Sequence, residues 1–141
     1  MVHLTEDLHI FPAHIERLGG MLQWIRIHLL EMAFEEGVIR KVELASEEAL
    51  VNIIRHGYKA REGKIMIRLF SFADHVEIVI IDEGPPFNPL LEESHVDSLA
   101  CLEERKEGGL GILFMRQYMD EVRYQREANH NVLTLIKKLA S

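Results

Sequence analysis

Apolar residues at Ile15, Leu18, Leu22, Ile25, Leu29 and Met32 recur at alternating intervals of three and four. That spacing builds one stripe along a helix. It predicts a long amphipathic helix from His14 to Glu36, with Met21, Trp24 and Phe34 widening the apolar arc. Gly19 and Gly20 lower helix propensity inside it and are expected to permit close packing. Gly37 is expected to break the chain before a second helix from about Val38 to His56, whose inward positions are Val42, Ala45, Ala49 and Ile53. Gly57 is placed to stop that helix, with Arg55 and His56 in a last turn that favours positive charge.

The period then changes from helical to alternating. Leu8 to Ala13 reads as a short edge strand ended by Pro12. Ile65, Ile67 and Leu69 alternate with Met66, Arg68 and Phe70 in a strand from Lys64 to Phe72. A turn at Ala73-Asp74-His75 leads into Val76 to Ile81, so the two runs form an antiparallel hairpin. Two more strands close the chain, about Glu121 to Arg126 and Val132 to Leu139, joined through Ala128-Asn129-His130-Asn131.

Between the hairpins, residues 90–107 are charged and irregular, a kind of connection that compact domains use as a lid or binding loop. Gly108-Gly109-Leu110-Gly111 then opens a third helix that runs towards Met119. Free N–H groups at such a turn favour phosphate, although many glycine turns are only turns. The third glycine of a dinucleotide fingerprint is missing, and no P-loop lysine and hydroxyl follow.

Composition narrows the function. The 141 residues are 48% hydrophobic, enough for the core of one domain spanning 1–141. A net charge of −7 argues against nucleic acid and anionic membrane as direct partners. No apolar run approaches the roughly 20 residues of a membrane span, and no secretory signal is visible. Cys101 is the only cysteine, so an intramolecular disulfide is excluded and a reducing cytoplasm is expected.

Two places carry candidate chemistry. Glu48 and Asn52 stand four apart on one face of the second helix. The pair reads either as a solvated face or as a proton acceptor beside an amide able to ligate a hard cation such as Mg²⁺. Asp82 keeps the parity of Val76, Ile78 and Ile80 and should therefore point to the buried side of the sheet. A buried acid needs a hydrogen-bonding partner. It reads either as a turn cap or as the acceptor for an exocyclic amine, such as that of adenine.

Glu48-Ala49-Leu50-Val51-Asn52, His56-Gly57-Tyr58, Asp82-Glu83-Gly84-Pro85-Pro86-Phe87 and Gly109-Leu110-Gly111 followed by Met119-Asp120-Glu121-Val122 occur in one order. Together they resemble the nucleotide-binding boxes of the GHKL ATPase superfamily, and most of all its compact branch, the anti-sigma-factor serine/threonine kinases of the RsbW type. The resemblance covers about residues 8–139. It implies the Bergerat-type, histidine-kinase-like ATPase fold: an α/β two-layer sandwich with a mixed, mainly antiparallel sheet and helices on one face. It also implies ATP and Mg²⁺ as cofactors, beneath a lid at about residues 86–107.

By the same resemblance, Asn52 holds Mg²⁺, Glu48 is the catalytic base, and Asp82 with Gly84 receives the adenine. Gly109, Leu110 and Gly111 face the phosphates, and Arg55 and Lys106 are candidate phosphate contacts. The implied activity is phosphorylation of a small STAS-type anti-sigma-factor antagonist, alternating with sequestration of a sigma factor. The alternative is a nucleotide-gated protein-binding module with little catalysis. A sensor histidine kinase fragment fits less well, since there is no room for a phosphoacceptor helix pair and the lid is short. The breadth of the 14–36 helix adds the expectation of a homodimer.

Overall fold

In the computed structural model, which describes residues 5–58, 63–92 and 115–138, five strands form one sheet. They are β1 (Thr5–Pro12), β2 (Lys64–Ser71), β3 (His75–Asp82), β4 (Glu121–Glu127) and β5 (His130–Lys138). Their order across the sheet is β1-β2-β3-β5-β4, and every pairing is antiparallel. β1 is the edge strand expected from the sequence, begun three residues earlier, at Thr5. The order leaves β3 with a neighbour on each side, which suits its alternation of buried Val76, Ile78, Ile80 and Asp82 with less buried residues.

The helices α1 (Leu18–Glu31) and α2 (Glu36–Asn52) cover one face of this sheet. Met21, Ile25 and Leu29 from α1 and Ile39, Val42, Ala45, Ala49 and Leu50 from α2 join the inward residues of β2, β3 and β5 in a single core. Leu18, Leu22, Trp24 and Met32 pack against its margin. Most of the broad apolar arc of α1 is therefore used within the fold. Ile27 and Leu30 remain exposed on it, with Ile15 in the 3₁₀ turn Ile15–Arg17 that precedes it. Arg26 bonds Glu36 and Glu43 and so ties the two helices together.

The break between the helices differs from expectation. Ala33, at φ 63°, makes the turn, while Gly37 sits in the first turn of α2. The Ala33 N–H donates to Leu30 O (3.0 Å) and the Phe34 N–H to Leu29 O (3.4 Å). This is a Schellman cap, and the buried Phe34 and Leu29 supply its hydrophobic contact. Close packing at Gly19 and Gly20 is also not found, because a Cβ at either would meet nothing within 4 Å.

The end of α2 is the other departure. The α-helix stops at Asn52 and the chain continues as a π-helical turn over Ile53–Tyr58, where an α-turn was expected up to Gly57. Wider turns of this kind collect at functional sites. Here the turn keeps Ile53 buried and leaves Arg55 exposed. A short helix α3 (Pro89–Glu92) follows β3, and residues 115–118 are helical.

Candidate functional site

The site grows from the end of β3. Asp82 is its last residue, inward-facing and only 2% exposed. Directly opposite it on β5 stands Asn131, 4% exposed. The Asn131 Nδ2–H donates to Asp82 Oδ1 at 3.0 Å, and the Gly84 N–H donates to the same oxygen at 2.9 Å. No described residue donates to Oδ2. Burial is the largest influence on the Asp82 carboxyl and pushes its pKa up. The bonds from Asn131 and Gly84 and the charges of Arg126 and His130 oppose that rise without cancelling it.

The segment leaving β3 is gripped by the β4–β5 hairpin. Asn131 Nδ2 also donates to Pro85 O (2.9 Å), and Asn131 Oδ1 accepts from the Phe87 N–H (3.2 Å) and the Tyr124 hydroxyl. Arg126 Nη1 donates to Gly84 O at 2.8 Å. Ala128 and Asn129 make this grip possible. Both have positive φ (47° and 69°) and form a two-residue loop, so β5 starts at His130 and Asn131 is a strand residue. It had been expected in the connecting turn.

Across from this cluster lies Asn52, the last α-helical residue of α2 and 2% exposed. Asn52 and Asp82 line one narrow cavity of about 10 Å³ with Ala49, Phe87 and Leu133. Among the described residues the Asn52 Nδ2 has no hydrogen-bond partner. Buried amides that serve only the fold are nearly always paired. An unpaired one beside a buried carboxylate fits a residue that answers to a ligand.

Glu48 lies one turn before Asn52 and is half-buried. Burial raises its pKa most, Glu47 adds to the rise, and Arg55 opposes it. Neither Glu48 nor the exposed Arg55 lines the cavity. The structure thus brings Asn52 and Asp82 to one cavity, with Gly84 bonded to Asp82, and leaves Glu48 and Arg55 outside its lining. Lys106, Gly109, Leu110 and Gly111, with the lid beyond residue 92, lie outside the described residues.

Asn131, Tyr124 and Arg126 were not singled out from the sequence. The signal for Asn131 was its parity with Leu133 and Leu135, which mark the buried face of β5.

Asp82 is thus a buried carboxylate that lines a cavity, with both described donors on Oδ1. The five-stranded antiparallel sheet covered on one face by α1 and α2 is the fold of a histidine kinase-like ATPase domain. A family profile described as the histidine kinase-like ATPase domain matches residues 11–137, and the chain belongs to that family.

Among its relatives is the serine-protein kinase RsbW of Bacillus licheniformis, 33% identical over 131 residues (86% of this chain and 78% of the relative). The RsbW of Bacillus subtilis strain 168 is 33% identical over 134 residues, 88% and 78% of the two chains. That of Bacillus pumilus is 32% identical over 139 residues, 90% and 81%. The Acinetobacter baumannii histidine kinase AdeS shares the fold at a TM-score of 0.52 and 12% identity, covering 98% of this chain and 70% of that one.

Proposed function

We propose that the chain is an ATP-dependent protein serine/threonine kinase that acts on a small regulatory partner. The observation that carries this reading is the facing pair of buried polar side chains, Asp82 and the unpaired amide of Asn52, in a chain a third identical to serine-protein kinases. Asp82 receives the adenine amino group and Gly84 lets the base approach. Asn52 would hold Mg²⁺, which when bound bridges phosphate oxygens and neutralises their charge. Phe87 and Pro89 line the cavity with Asp82 and Asn52 and are the proposed neighbours of the base.

Glu48 is the proposed base. Its pKa is raised by partial burial, which makes the carboxylate a better proton acceptor than a fully solvated one. The charge of Arg55 opposes the rise, and Arg55 is a further proposed phosphate contact. Gly109, Leu110, Gly111 and Lys106 remain the proposed phosphate contacts. The protein substrate is an anti-sigma-factor antagonist, with a sigma factor as the alternative partner and the cytoplasm as the compartment. No described helix is long and apolar enough to cross a membrane.

A homodimer is also proposed, through the outer face of the sheet. Ile10, Met66, Ile81 and Val132 are consecutive register partners there and line a groove of about 450 Å³. Ile10→Glu should convert a dimer into a monomer in light scattering, whereas an unchanged mass would remove this surface from the reading.

The kinase reading is tested by Mg²⁺-dependent ATP binding and phosphate transfer in wild type, Asn52→Ala and Glu48→Ala. Loss of binding in Asn52→Ala, and binding without transfer in Glu48→Ala, are expected. Transfer that survives in Glu48→Ala would remove that residue as the base. ATP binding by wild type with no transfer to any partner would leave a nucleotide-gated binding module.

A further inference from the structure

We propose that Asn131 is a positioning residue that sets purine selectivity, holding Asp82 so that a 6-amino purine is accepted and a 6-oxo purine refused. The inference rests on the nucleotide reading above. It begins with the carboxamide, which has two N–H donors and an oxygen with two lone pairs. All four are used: the donors by Asp82 Oδ1 and Pro85 O, the oxygen by the Phe87 N–H and the Tyr124 hydroxyl.

Turning the amide by half a rotation would set its oxygen against two acceptors, Asp82 Oδ1 and Pro85 O, and its nitrogen against the Phe87 N–H. The donor towards Asp82 is therefore fixed by four partners on three segments of chain. The backbone supports the same orientation, because Asp82 and Asn131 are register partners on adjacent strands. Cross-strand pairs of this kind hold their side chains side by side.

The consequence falls on Asp82. With Asn131 and Gly84 both donating to Oδ1, rotating the carboxylate forfeits two bonds in a buried place. Oδ2, to which no described residue donates, remains to accept from a ligand in the cavity that Asp82 lines. An exocyclic amine donates to it, whereas a carbonyl at the same ring position sets lone pair against lone pair. Sites that leave a buried polar group unpaired with the wrong substrate discriminate strongly. Gly84 supplies one of the two donors from the backbone, so Asn131 is the side chain on which the orientation depends.

The test is calorimetric binding of Mg-ATP and Mg-GTP to the full chain, as wild type, Asn131→Asp and Asn131→Ser. Asn131→Asp keeps the acceptor for Phe87 and Tyr124 but loses the donor to Asp82, and Asn131→Ser shortens the reach without adding charge. Wild type should prefer ATP by at least about 100-fold. Each variant should lose about tenfold in ATP affinity with little change for GTP, the size of one hydrogen bond. A folded variant that keeps the wild-type ratio, or that loses both nucleotides equally, overturns the proposal.

If neither variant folds, the side-chain amide resonance of Asn131 in wild type decides. It should shift with ATP and far less with purine riboside triphosphate, which lacks the amino group. Equal shifts overturn the proposal. Wild type that binds neither nucleotide removes the nucleotide reading itself, whereas selective wild type with unselective dependence on Asn131 removes this inference alone.

Discussion

Asp82 and Asn131 face each other across the β3–β5 ladder, and the amide of one donates to the carboxylate of the other at 3.0 Å. The pair orients an acid that the fold would be more stable without. Burial raises the Asp82 pKa, so the ionised form opposes folding. The contribution from Asp82 is most favourable below the unfolded carboxyl pKa and is lost as pH rises through the elevated folded value. Asp82→Asn should therefore be more stable than wild type near neutrality, with the advantage shrinking as pH falls towards about 4. Urea unfolding across that range checks it, and ATP affinity should fall in the same variant.

Asn52 is a second buried polar side chain whose replacement is expected to stabilise the fold. Its buried Nδ2 has no partner among the described residues. Leaving such a group unsatisfied costs about 1–3 kcal/mol. Asn52→Leu, similar in volume, should raise unfolding free energy by roughly 1 kcal/mol and remove the extra stability that Mg-ATP gives wild type. Denaturation with and without Mg-ATP separates the two effects.

The turn between α1 and α2 offers a prediction free of function. Ala33 occupies a left-handed position, and Gly37 occupies a helical position whose Cβ would meet open space. Each residue would suit the other's place. Ala33→Gly and Gly37→Ala should each stabilise by about 0.5–1 kcal/mol, measured separately by urea denaturation. Destabilisation by Ala33→Gly would contradict the left-handed turn.

His75 predicts a pH effect of opposite sign. Partial burial lowers its pKa, but hydrogen bonds to Asp74 (2.6 Å) and Glu77 (3.1 Å) more than offset that, and the net shift is upward. The stabilisation is full below the unfolded value of about 6.5 and is lost as pH rises through the folded one. His75→Gln should lower Tm clearly at about pH 5.5 and hardly at about pH 8.5. A deficit that grows with pH would overturn the assignment.

Much of this was legible because period and parity survive folding. Asp82 could be assigned to the buried face from Val76, Ile78 and Ile80 alone, since a strand alternates strictly. Asn52 was placed by its four-residue spacing from Glu48 on a helix with a clear apolar stripe. Asn131 was hidden by its turn. Ala-Asn is a poor match to the Asn-Gly expected of a tight two-residue loop, so the sequence suggests a turn two residues longer than the one formed. The helix break is obscured for the same reason, because Ala33 adopts a backbone conformation that normally belongs to glycine. The π-turn after Asn52 follows no residue preference that a periodic pattern expresses.

The strand order has a consequence for biosynthesis. β5 lies between β3 and β4, so the carboxylate at residue 82 waits 49 residues for its amide. A nascent chain can build the β2–β3 hairpin early from local contacts, but the Asp82–Asn131 bond is absent until β5 has inserted between β3 and β4. Long-range insertion of this kind is slow relative to hairpin closure. The carboxylate's orientation is then a property of the completed sheet and not of the hairpin that carries it.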